Sequence, residues 1–246
     1  MIVLFPKTFR FEPPSLLVIC LLVGPFLPIP AAAQTKSAQG GVAGQSSQSW
    51  QGALNADASI QASSAALEQN KYPQALLALE PALQQRGNDP AVLNLKGAIL
   101  TKMKDYSGAE ASYEAALKAS PDFFPARYNV GALLALRQQW DPAITYFRNL
   151  LIEQPNNELV EYKLLLLLLR QNASQQLHER LLASDSPSGT PAWYYAKAAR
   201  AYQKGNPSEA AKYIEVARSV FGDQTVIFQE ELDESGLTDS KNKLKK

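Results

Sequence analysis

Every 34 residues this chain returns to the same kind of side chain. Ala75, Ala109 and Ala143 keep that interval, and so do Ser63, Gly97 and Gly131. Leu79, Tyr113 and Phe147 keep it, as do Ala82, Ala116 and Leu150. A fixed period of this length means one supersecondary unit copied along the chain. One copy cannot bury its apolar face alone, so the copies must stack. The period therefore predicts an array that presents a long surface to a partner, without naming that partner.

The copies run 56–89, 90–123, 124–157, 158–190 and 191–224, and each reads as helix, short turn, helix. In the second, Leu93, Gly97 and Leu100 share one helical face and Lys104-Asp105-Tyr106 makes the turn. Ala109, Tyr113, Ala116 and Leu117 then follow at the spacing of an amphipathic helix. Ser120-Pro121 ends it, because proline disfavours helical geometry in the residue before it. Gly97 and Ala109 are expected where the two helices of a hairpin cross, and Ala116 where the second helix meets the next repeat. A larger side chain there would push the axes beyond their usual separation of roughly 8–10 Å. The aromatic at 113 or 147 is expected to fill the space between hairpins.

The pattern resembles the tetratricopeptide repeat family. The match rests on Gly97, Ala109, Tyr113, Ala116 and Pro121, and on Gly131, Ala143, Phe147 and Pro155. Ser63, Tyr72, Ala75, Leu79 and Ala82 carry it in the first repeat. Ala198, Gly205, Glu209, Ala210, Ile214 and Ala217 carry it in the fifth. The resemblance implies an all-α, right-handed solenoid of about five helix-turn-helix repeats, binding protein or peptide on its concave face. Three departures stand out. Lys96 replaces the family's usual aliphatic residue. Pro81 lies inside a helix and should kink it. The fourth repeat is one residue short, with Leu165 and Leu177 at its small-residue places and Ser184 for the later alanine.

That fourth repeat also holds six leucines in a row, Leu164–Leu169. Six residues cannot cross a membrane, and a helix apolar on all sides is buried on all sides. Either the fifth repeat and the chain end cover it, which is the expected case, or a partner does. A final helix is expected in the cap at 224–235. Val226, Ile227, Phe228 and Leu232 would pack back on repeat five, and Glu230, Glu231, Asp233 and Glu234 would form the polar outer face that a terminal repeat needs. Residues 236–246, rich in lysine, read as a disordered basic tail.

Residues 1–33 read as an export signal. Lys7 and Arg10 precede an apolar run from Leu16 to Leu27, broken by Pro28 and Pro30, with Ala31-Ala32-Ala33 after it. This is the layout of a secretory signal peptide, with cleavage expected before Gln34; the alternative is an uncleaved anchor. Cys20, the only cysteine, lies inside that run, and Ile19 before it is not the small residue a lipoprotein signal needs. The mature chain then has no thiol chemistry and no disulfide. Removing Lys7, Arg10 and Glu12 leaves equal numbers of acidic and basic side chains, so long-range attraction to nucleic acid or an anionic membrane is not expected. Residues 34–55, rich in Gln, Ser and Gly, show no apolar period and read as a flexible linker. Trp50 there either packs on the first repeat or is exposed. Exported bacterial protein of the periplasm or cell envelope is the expected localisation, with secretion as a variant of it.

No catalytic constellation, cofactor loop or metal-ligand spacing is visible. His178 is the sole histidine, and a lone histidine without a partner is a surface or packing residue. Asn172-Ala173-Ser174 is a glycosylation sequon, discounted in a bacterial protein. The candidate site is the groove lined by the first helices. Helix geometry places Asn94, Ala98 and Lys102 there, then Tyr128, Asn129 and Ala132, then Tyr162 and Lys163, then Tyr195 and Tyr202. Tyrosine brings contact area with a polar tip, and asparagine bonds an extended backbone. A subclass of the family clamps a carboxylate with lysines and asparagines. Asn129 matches one position of that clamp, but Asn94 and Ala98 depart from it, so the clamp is not expected. The expected partner is another protein or an extended peptide. The rival is a structural subunit of an envelope complex, held through Leu164–Leu169.

Overall fold

The structure, a computed structural model, describes residues 43–171 and 189–238, and of 43–54 the backbone only. Antiparallel helices follow one another in hairpins. The first pairs α1 (Ala43–Glu68) with α2 (Tyr72–Gln85), the second α3 (Pro90–Lys102) with α4 (Tyr106–Ala119), and the third α5 (Phe124–Leu136) with α6 (Trp140–Glu153). α7 (Glu158–Arg170) is the first helix of the fourth repeat. α8 (Pro191–Lys204) and α9 (Pro207–Phe221) make the fifth, and the 3₁₀ turn Gly222–Thr225 leads into α10 (Val226–Glu234). First helices of successive repeats lie side by side: α1 on α3, α3 on α5, and α7 on α8. The described residues are helical and form the all-α repeat array that the 34-residue period predicts. The export signal, most of the linker, the sequon, Leu177, His178, Ser184 and the lysine-rich end lie outside the described residues.

The hairpins close because small residues let helices touch. Ala75, Ala109, Ala143 and Ala210 are fully enclosed, as are Ala82, Ala116, Ala198 and Ala217. A Cβ on Gly97 would stand 2.5 Å from the Tyr113 ring, and one on Gly131 would stand 2.8 Å from the Phe147 ring. In the second and third hairpins the aromatic of the second helix thus lies on the bare backbone of the first. In the first repeat Ser63 takes the glycine's place and donates its hydroxyl to the Ala75 carbonyl at 2.8 Å.

The turns inside the hairpins are copies of one device. Asn70, Lys104, Gln138 and Gly205 all have positive φ, from 59° to 82°. After each, the next amide donates to the carbonyl five residues back: Lys71 to Ala66, Asp105 to Leu100, Gln139 to Leu134 and Asn206 to Ala201. This is the Schellman closure, in which a left-handed residue turns the chain and satisfies the helix's last carbonyls. Side-chain caps then start several helices. Asp89 accepts from the Ala91 amide at 2.8 Å, Asp105 from Gly108 at 3.0 Å and Asn206 from Glu209 at 3.2 Å.

Several expectations need correcting. α1 begins at Ala43, inside the stretch read as a flexible linker to residue 55. Once the packed turn from Ala56 is formed, extending a helix costs little, and residues 43–55 hold no proline. Pro81, expected to kink its helix, does not end it: α2 runs from Tyr72 to Gln85. The carbonyl it deprives of a donor is that of Leu77, a residue that is 74 % exposed. Leu164–Leu169 are between 0 % and 4 % exposed. The chain itself covers them, which removes the leucine run as an assembly surface. Leu237, assigned to the disordered tail, packs against the core. The last helix departs most. α10 lies against α7 as well as α8, and Glu231, placed on a polar outer face, is fully buried.

Two outcomes follow from this packing. Ala109→Leu overfills a closed crossing and should destabilise by roughly 1–3 kcal/mol, read as a lower urea midpoint. Gln138→Gly should do the opposite. It relieves a left-handed strain of roughly 1–2 kcal/mol, offset by about 0.5–1 kcal/mol of extra backbone entropy in the unfolded chain. A small rise in the urea midpoint is expected, and a fall would refute the strain argument.

Candidate functional site

The residues singled out in the sequence fall on one row of helices. Asn94 and Lys102 lie on α3, Tyr128 and Asn129 on α5, Tyr162 and Lys163 on α7, and Tyr195 and Tyr202 on α8. They do not wall an open groove. Asn94, Tyr128, Asn129, Tyr162, Lys163 and Tyr195 are buried, and only Lys102 and Tyr202 are partly exposed. The amide of Asn129 donates to Asn94 Oδ1 at 2.9 Å, joining adjacent first helices. Lys102, Tyr128, Tyr162, Lys163 and Tyr195 meet α10, which the fold lays across this face.

Glu231 is the centre of that contact. Its Oε1 accepts from the Tyr128 hydroxyl at 2.7 Å, and its Oε2 accepts from Lys163 Nζ at 2.5 Å. Phe228, one helical turn earlier, sits between two tyrosines. Its ring centroid is 5.4 Å from that of Tyr162 and 6.0 Å from that of Tyr195. The Tyr195 hydroxyl donates to Gln229 Oε1 at 3.3 Å. Leu232 is fully enclosed in the same core. Beyond the helix, the Lys102 ammonium reaches Glu234 at 3.0 Å and Arg170 donates to the Ser235 carbonyl at 2.5 Å. The Arg170 guanidinium also lies 4.5 Å over the Trp140 ring. A cleft of about 170 Å³ opens beside this end, between Trp140, Lys163, Leu166 and Glu234.

Burial shapes the acid–base behaviour here. It pushes the Tyr128 and Tyr162 phenols well above their ordinary range, and the neighbouring Glu231 charge pushes them further. Burial opposes the Glu231 carboxylate, the Lys163 ammonium and the bonds from Lys163 and Tyr128 favour it, and its pKa lies below the ordinary 4.5.

A sequence model of the tetratricopeptide repeat matches residues 60–122 and 99–158. The fold is similar to that of a tetratricopeptide repeat protein from Parabacteroides merdae, with a TM-score of 0.55 at 19 % identity, over 72 % of this chain and 69 % of that one. It is similar also to Pseudomonas aeruginosa pilF, with a TM-score of 0.52 at 17 % identity, over 79 % of this chain and 95 % of that one. Residues 60–158 are tetratricopeptide repeats. Among curated proteins none matches it in sequence.

Spacing aligns these residues on one row of helices, but it does not reveal that α10 covers them. Glu231 was read as solvated because it is charged. The signal that would have corrected this lies in its neighbours: Phe228, Glu231 and Leu232 stand at i, i+3 and i+4 and so share one helix face. Among the described residues no group of three or more His, Cys, Asp or Glu side chains could hold a metal.

The ion pair makes a signed prediction. Its side chains are 9 % and 0 % exposed, and breaking a buried pair from one side costs about 3–5 kcal/mol. Glu231→Gln should lower stability by about that much near neutral pH. A carboxyl whose folded pKa is depressed contributes fully above its unfolded value of 4.5 and loses that contribution as pH falls through the folded value. The gap in urea midpoint between parent and Glu231→Gln should therefore narrow below pH 4.5. A gap that stays constant into acid would contradict the assignment of charge to Glu231.

Proposed function

We propose that this protein is an exported scaffold of the bacterial cell envelope that binds a protein partner on its row of first helices. The repeat fold is one of protein–protein interaction scaffolds, and the face formed by α3, α5, α7 and α8 carries the recognition. The observation behind this reading is that the face already holds a helix by side-chain chemistry, through Lys163, Tyr128, Tyr162 and Tyr195. Tyrosine and a desolvated charge are the groups that dominate protein recognition. No catalytic step and no cofactor belong to this function. Export rests on Lys7, Arg10, the Leu16–Leu27 run and Ala31-Ala32-Ala33, which together have the order of a signal peptide.

Two measurements test it. Mass spectrometry of the protein isolated from its native envelope should find the mature chain beginning at Gln34. A chain retaining Met1 would support an uncleaved anchor instead. Photo-crosslinking side chains introduced at Lys102 and Tyr202, on the first-helix face, should capture an envelope protein. The same group at Ile152, exposed on the second helix α6, should capture none. The reverse pattern would place recognition on the opposite face.

A further inference from the structure

We propose that the first-helix face reads one class of helix, and that α10 is the ligand in cis which a partner helix displaces. That helix carries an aromatic residue, a carboxylate three positions on and a leucine immediately after it. The inference rests on the scaffold reading above and names the chemistry of its ligand.

The face is specified by three side chains of α10. Phe228, Glu231 and Leu232 are buried, while Val226, Glu230, Asp233 and Glu234 point outward. A cap that only had to cover apolar surface would need no charge at its centre. Here both oxygens of Glu231 are held, by Tyr128 and by Lys163. Buried ion pairs add little stability over a well-packed apolar pair, but they penalise any occupant that leaves one charge alone. Lys163 therefore acts by rejection: a helix without a carboxylate at this place strands a buried ammonium. The aromatic bay of Tyr162 and Tyr195 sets the second position. α10 does not use that bay fully, since the Tyr162 hydroxyl is buried without a hydrogen-bond partner.

The attachment of α10 suits release. It joins α9 through the 3₁₀ turn Gly222–Thr225, and Gly222 has φ of +54° with open space where a Cβ would stand. The glycine thus serves the backbone turn and no packing. The outer ties, Lys102 to Glu234 and Arg170 to the Ser235 carbonyl, lie at the exposed rim, where salt and water compete.

The test uses the full chain and a fluorescein-labelled peptide of residues 223–238. Glu231→Lys should free the face, with helix content close to that of the parent by circular dichroism. Anisotropy should show this variant binding the peptide at least about tenfold more tightly than the parent, in which the tethered helix competes at an effective concentration in the millimolar range. The peptide carrying Glu231→Gln should lose at least about tenfold in affinity for the freed chain. Equal, weak binding by parent and variant overturns the proposal. Hydrogen exchange on the unaltered protein decides it independently of any variant. Amides of α10 should exchange faster than those of α7 and α8, through a local opening; protection equal to theirs makes α10 a fixed cap and overturns the proposal. Peptide exchange without crosslinks at Lys102 or Tyr202 keeps the helix-reading site and sinks the scaffold role. Crosslinks there without peptide exchange do the reverse.

Discussion

Contact between an aromatic ring and a bare backbone sets the spacing on which everything else depends. Tyr113 lies over Gly97 and Phe147 over Gly131, at distances no Cβ would permit. These contacts, with enclosed alanines at 109 and 143, hold the helices of each hairpin close. Close hairpins stack with their first helices in one row, and that row brings Tyr128, Lys163 and Tyr195 to a common face. That common face is thus a consequence of where side chains are missing.

Much of this was legible in the sequence because repetition multiplies a weak signal. One alanine says nothing, whereas Ala75, Ala109 and Ala143 at equal intervals state a geometry. The turns were only partly legible. Lys104 and Gln138 adopt the same left-handed conformation as Gly205, yet neither residue type advertises it. There the closing hydrogen bonds and the packed helices impose the backbone angle, and the side chain tolerates it. The reach of α1 back to Ala43 was hidden for a related reason: a helix extended from a packed segment needs no apolar stripe of its own.

Glu231 marks the limit of reading residues singly. Charge predicts exposure for almost every glutamate, and the rule fails only when a counter-charge and a hydroxyl are waiting in the interior. Lys163 lies 68 residues away in sequence and Tyr128 lies 103 away. No local pattern around Glu231 reports them. The same distance explains why the alignment of the first-helix residues was legible while the helix that covers them was not. Their alignment is a property of the repeat, but the return of the chain end onto them belongs to no repeat.

That return changes how the array holds together in time. A stack of repeats touching only their neighbours can form or fray piece by piece. The tie between Lys102 and Glu234 spans 132 residues of sequence, and it encloses the second repeat, the fifth and everything between them in one loop. Contacts of such separation form late, because closing a long loop costs entropy before it returns any contact energy. α10 is also synthesised after every helix of the row it covers. That row therefore stands uncovered on every nascent copy until α10 emerges and folds onto it, so a partner helix of the kind proposed above meets an open face early and must compete for it later.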